Sequence, residues 1–208
     1  MAFRSRVLEE IGGLDPVRDH QRIAFLSTRV DFPFDTTRAL ELALFRTFGV
    51  PSISALLHRT GQFEGRPQKR YDDTDIIVSE LMEHGYDSER GRAALARINA
   101  IHGRFRIANS DFLYVLSTFV FEPIRFNARF GWRPMTQTEK LALFHFWRAV
   151  GQRMGIQDIP VSFREFERYS VEYEARYYRF TEANRAVGGA TVELFASWFP
   201  RPLRFLVR

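Results

Sequence analysis

An all-α fold, a single compact multi-helix domain spanning residues 1–208, is what the sequence predicts, and three observations predict it. Apolar residues recur at three- and four-residue spacing along nearly the whole chain. No pair of alternating segments reads as paired strands. Glycine and proline fall where helix-length segments should end, and 208 residues fit one domain better than two.

The elements follow in order. Residues 1–14 contain no signal-peptide core and are expected to be flexible. Residues 16–30 and 36–48 predict helices separated by 31–35, with Asp35 as N-cap and Gly49 and Pro51 closing the second. A short helix over 52–59 should end at Gly61, and 61–69, with two Gly and a Pro, reads as the clearest loop. The next helix is expected over 73–83, ended by Gly85. Over 88–105, Leu95, Ile98, Ile101, His102 and Phe105 carry the spacing of a buried face. Residues 109–131 predict a long helix that Pro123 should kink or split. Helices over 136–154 and, after a Ser162/Glu165 capping box, to Tyr177 come next. The last, over 182–198, is weakened by Gly188 and Gly189 and ended by Pro200 and Pro202.

Composition narrows the chemistry. The chain lacks cysteine, which removes thiolate metal sites, Cys nucleophiles and disulfides. Aromatic residues make up 15%, with 21 Phe, a surplus that could wall an apolar pocket, although dense core packing explains it as well. The net charge is +5, but the 30 basic residues, all Arg except Lys69 and Lys140, are interleaved with 25 acids, so no nucleic-acid stripe stands out. The segment 198–208, WFPRPLRFLVR, alternates Arg with large apolar groups and could touch a membrane interface or pack onto other protein. The longest apolar run, 112–121, is far below the roughly 20 residues that span a bilayer, so a soluble, cytoplasmic chain is expected.

Five histidines are the candidate ligands. His20 and His84 sit among polar neighbours and read as solvated; His58 reads as capping or surface. His145 lies in the aromatic run LFHFW, and His102 has the strongest apolar-face placement, which by itself more often means a core histidine. Zinc, di-iron, nucleophile-elbow, Walker and dinucleotide motifs are absent. A haem would need only one His and an apolar slot. Arg70 and Thr74 lie four apart and share a face if helical; on spacing alone, Asp72 or Asp73 as an N-cap with Arg70 at the surface is favoured.

The ordered set KRYDDT (69–74), SERG (88–91), RINAIH (97–102), NSDFLYVLSTFVFEPIRF (109–126), FGWRPMT (130–136), FWRAVGQRMGIQDIP (146–160) and VGGATVELFASWFPRPLR (187–204) resembles the mpaB-type oxygenase family, from about residue 15 onward. That family is similar to the rubber oxygenase (latex clearing protein) catalytic domain. The resemblance implies a helical fold holding b-type haem in a slot between helices. It also implies an oxygenase using O2 to cleave or oxidise an apolar, isoprenoid-type unsaturated substrate.

Within it, RINAIH places His102 as the iron ligand, and Arg70 and Thr74 map to the distal side. Rubber oxygenases can carry Lys just before that Thr; this chain has Asp73, for which helix capping is the expected job. A carbonyl around Ile98 could accept the second His102 ring proton. Arg70 could stabilise oxygen or a propionate. Phe105, Phe112, Phe119, Phe121 and Trp147 are candidate pocket walls, with Phe105 placed against the cofactor. A haem or hydrophobic-ligand carrier or sensor without turnover is the competing reading.

Overall fold

The computed structural model describes residues 2–207, and among these every regular element is a helix. The first, α1 (Ala2–Gly12), falls within the stretch read as flexible, and buries Val7 and Ile11 against Ile23, Leu26 and Ala142. The Asp15 carboxylate accepts the Val17 and Arg18 N–H groups in a turn. The helix expected from residue 16 therefore starts only at His20 as α2 (His20–Phe25), and runs into a π-helical turn at Leu26–Asp31.

In α3 (Pro33–Phe48) a proline occupies the first helical positions, where its missing N–H costs nothing, so Asp35 lies inside the first turn and not at the N-cap. Helix α4 (Pro51–Thr60) ends at Gly61, whose φ of +63° is left-handed. The expected 61–69 loop is largely helical: α5 (Gln62–Gly65) is followed at once by α6 (Pro67–His84). Pro67 presets the helical φ, Phe63 anchors the segment in the core, and Gln68–Asp72 and Lys69–Asp73 pair one turn apart. Asp72 and Asp73 are thus interior to α6, and the capping job expected of Asp73 does not exist.

Ser88 caps α7 (Glu89–His102) by accepting the Gly91 N–H. Gly91 is required by close approach, since a Cβ there would meet the Gly85 carbonyl oxygen at 2.0 Å. The helix ends at His102, three residues short of the expected end, and Ile101 and Phe105 are 38% and 39% exposed. Helix α8 (Asn109–Phe130) is not split at Pro123. Its buried stripe, including Leu113, Leu116, Val120 and Phe121, is held from several sides, with α3, α9 (Gln137–Arg153) and α10 (Phe163–Tyr177) all packing on it. Helix α9 opens with a Thr136/Glu139 capping box, which pattern reading passed over in favour of Ser162; Ser162 itself accepts the Glu165 N–H at the start of α10. The last α-helix, α11 (Glu182–Ser197), runs through Gly188 and Gly189 because Val187, Thr191 and Leu194 are buried along it, and a 3-10 turn (Arg201–Leu206) follows.

Between α8 and α9 a buried ion cluster ties the ends of the fold together. Arg133 donates to Glu139 at 2.7 Å and to Asp31 at 2.5 Å, and its guanidinium lies over Phe32 at 4.6 Å. Burial by itself would raise the Glu139 carboxyl, but Arg133 and the Thr136 N–H outweigh it and hold it below its ordinary value. No single helix among the described residues is long and apolar enough to cross a membrane; α3 with α4 meets the length and composition only as a pair bent by 99°.

Candidate functional site

The stripe Leu95–Ile98–His102 runs down the packed face of α7, and His102, as its last residue, is carried to the rim of the core. There the ends of three helices meet around a cleft of about 410 Å³. Asn99, His102 and Gly103 come from the end of α7, Phe112 from the start of α8, and Arg153, Met154 and Gly155 from the end of α9, with Phe105 from the connection after α7. The volume lies in the range of small-molecule sites. The His102 ring stands 5.1 Å from that of Phe112, centroid to centroid.

His102 differs from His20, His58 and His84 in its nitrogens. His58 pairs with Glu64 at 2.5 Å, His84 lies 3.9 Å from Glu80, and His20 has partners at both ring nitrogens. His102 Nδ1 is buried and has no hydrogen-bond partner among the described residues, so the bond expected toward a carbonyl near Ile98 is not made. Burial, reinforced by the Arg70 cation, pushes the His102 pKa below its ordinary value. A neutral imidazole with an unspent nitrogen is the donor a metal centre needs. Its chemistry fits an iron ligand.

Arg70 and Thr74 do share a face of α6, one turn apart: Arg70 Nη1 donates to Thr74 Oγ1, which itself donates to the Arg70 carbonyl at 3.2 Å. Arg70 is not at the free surface. Its guanidinium lies 5.3 Å over the Phe63 ring, and burial lowers its pKa although Asp73 opposes this. The Arg70 charge acts on His102, yet neither Arg70 nor Thr74 lines the His102 cleft. They also do not line a smaller groove of about 320 Å³ between α6 and α7, whose rim is crossed by the Asp73–Arg97 and Glu80–Arg90 pairs.

Of the expected pocket walls, Phe105 and Phe112 line the cleft, whereas Phe119, Phe121 and Trp147 belong to the central core. Sequence reading missed Asn99 and Arg153. Asn99 Nδ2 donates to the Arg153 carbonyl at 3.1 Å, and Arg153 pairs with Asp87 at 2.7 Å. Both lie in quoted motifs, RINAIH and FWRAVGQRMGIQDIP, but nothing in their spacing gave them a role. The other correction is His20. It is no solvated residue: it bonds the buried Tyr86 hydroxyl, and its ring lies 6.3 Å from that of His145.

Sequence comparison agrees with the family read from the motifs. Residues 40–208 match the model of the ER-bound oxygenase mpaB/B'/rubber oxygenase catalytic domain, a later start than residue 15. An ER-bound oxygenase mpaB of Penicillium roqueforti is 37% identical over 170 residues, 73% of this chain and 57% of the relative. An ER-bound oxygenase mpaB of Penicillium brevicompactum is 32% identical over 194 residues, 84% of this chain and 49% of the relative. The mpaB' oxygenase of the same species is 34% identical over 168 residues, 72% of this chain and 40% of the relative. The chain thus spans about half the length of these curated relatives.

Proposed function

Because this chain belongs to the ER-bound oxygenase mpaB/B'/rubber oxygenase catalytic-domain family, we propose that it acts as a haem-dependent oxygenase on an apolar, isoprenoid-type unsaturated substrate. The observation that carries the reading is the buried, unpartnered Nδ1 of His102 beside a cleft walled by Phe105 and Phe112. Haem b, when bound, supplies dioxygen activation and one-electron chemistry.

The protein's own part follows from charge and shape. His102 would hold the iron through a neutral ring nitrogen, favoured by its lowered pKa. Phe105 and Phe112 would exclude water and take the apolar substrate. Arg70, permanently cationic, would stabilise negative charge that develops on oxygen or would anchor a propionate. Thr74 holds the Arg70 guanidinium in place. Peripheral membrane contact through 198–208 belongs to the same reading: Phe205 and Leu206 are exposed, and the relatives are named ER-bound.

The test is a visible spectrum of protein expressed with added haem precursor, followed by the haem-to-protein ratio of three variants. A Soret band is expected, lost in His102→Ala and kept in His20→Ala and His84→Ala. A colourless protein that takes up no added hemin would remove the haem. Bound haem without turnover of an unsaturated isoprenoid would favour the carrier or sensor.

A further inference from the structure

We infer that Tyr86 and His20 form a proton-coupled redox pair that gives an electron to one-electron oxidants arising at the His102 cleft. Tyr86 is a core residue in the short link between α6 and α7. Its hydroxyl meets His20 Nε2, while His20 Nδ1 lies 2.6 Å from the Val17 carbonyl oxygen. A carbonyl can only accept, so in the neutral imidazole Nδ1 carries the proton and Nε2 is the acceptor of the phenolic O–H. The two rings are 20° from coplanar with centroids 5.8 Å apart, which lets the O–H point along the nitrogen lone pair.

The link to the cleft is one side chain thick. Arg153 lines the cleft beside His102, and its guanidinium lies 4.1 Å over the Tyr86 ring. Burial raises the Tyr86 pKa, with Arg153 opposing, so a free phenolate is not the electron donor. The step that fits is concerted. Tyr86 loses one electron to the oxidant, which is reduced by one electron. The phenolic proton moves to His20 Nε2, leaving a neutral tyrosyl radical and an imidazolium. Because the radical is neutral, no second positive charge forms beneath Arg153. Other tyrosines have acidic partners, such as Tyr173 with Asp111 at 2.5 Å, but among the described residues none of them contacts a cleft-lining cation. The oxidant expected in the cell is one derived from peroxide at haem, so this pair rests on the haem reading above for its physiological role.

The experiment has two arms. In the first, the full chain is oxidised by laser flash-quench with ruthenium tris-bipyridine, which needs no haem, and the tyrosyl radical is followed by transient absorption and electron paramagnetic resonance. Tyr86→Phe, which keeps the ring, should lower the radical yield several-fold. His20→Ala should slow its formation and abolish the solvent deuterium isotope effect, with added imidazole restoring part of the rate. In the second arm, hemin-loaded protein is treated with hydrogen peroxide, and the radical should again depend on Tyr86. Unchanged radical yield in Tyr86→Phe, or an unchanged rate and isotope effect in His20→Ala, would overturn the pair. Failure to take up hemin would overturn the haem reading and with it the pair's role at the cleft, while the ruthenium arm still reads the pair itself.

Discussion

Arg133 and Arg70 are both drawn out of water, yet their surroundings differ. Arg133 donates to two carboxylates, Glu139 and Asp31, whose side chains are fully buried. Burial acts against its charge, but those carboxylates prevail and its pKa rises. Arg70 bonds a neutral hydroxyl and faces a phenyl ring, and burial lowers its pKa against the opposing charge of Asp73. One site is closed, its charge spent on joining the π-helical turn to α9. The other holds a cation whose field remains available, and that field reaches His102. Structure and chemistry are divided between two arginines by what faces them.

The comparison breaks most readily at Arg133. Arg133→Ala leaves Asp31 and Glu139 buried without their cation and should cost about 3–5 kcal/mol, read as a lower midpoint in urea. Arg70→Ala should leave that midpoint nearly unmoved. Its effect should appear in oxygenase turnover, lowered by roughly a hundredfold if the cation meets charge developing in the transition state. If Arg70 anchors a propionate, the substitution should weaken haem retention. Wild-type spectrum and turnover would return Arg70 to a packing role. Thr74→Val keeps the shape but removes the hydroxyl that accepts from the charged Arg70 guanidinium, and a loss of roughly tenfold in turnover is expected.

The smallest effect is in pH. The His102 pKa lies below its ordinary value of 6.5, from burial first and Arg70 second, and that of His145 is lowered by burial and by His20. Below about 6.5 the unfolded chain binds protons that the folded chain refuses, so stability is full above that pH and falls as the pH drops through it. The melting temperature of the cofactor-free protein should therefore decline from pH 7.5 to 5.5. His102→Gln should shallow the decline, and an unchanged slope would contradict the burial of the ring.

Much of the fold was legible from local signals. Gly61 and Gly85 end helices where expected because their effect is set by their own backbone. Where expectation and structure part, a distant contact has outweighed a local preference. Pro123 does not split α8, since the stripe on either side of it is packed from several directions. The 61–69 segment is helical because Phe63 is buried, which no local glycine count reveals. Within the site, His102 and the Arg70–Thr74 turn could be named from spacing and motif, but Asn99 and Arg153 acquire meaning only where α7, α8 and α9 end together.

The sequence by itself determined a cysteine-free helical chain, the register that puts Leu95, Ile98 and His102 on one face, and a family signature spread over ordered motifs. Tertiary structure decided which polar atoms are spent and which are left over. It gave Arg133 its carboxylates, tied His20 to Tyr86, and buried His102 Nδ1 with no partner. The physical reason is range. Helical periodicity and capping depend on residues within about a turn of one another, whereas desolvation and ion pairing depend on groups that only folding brings together, as with Asp31 and Arg133.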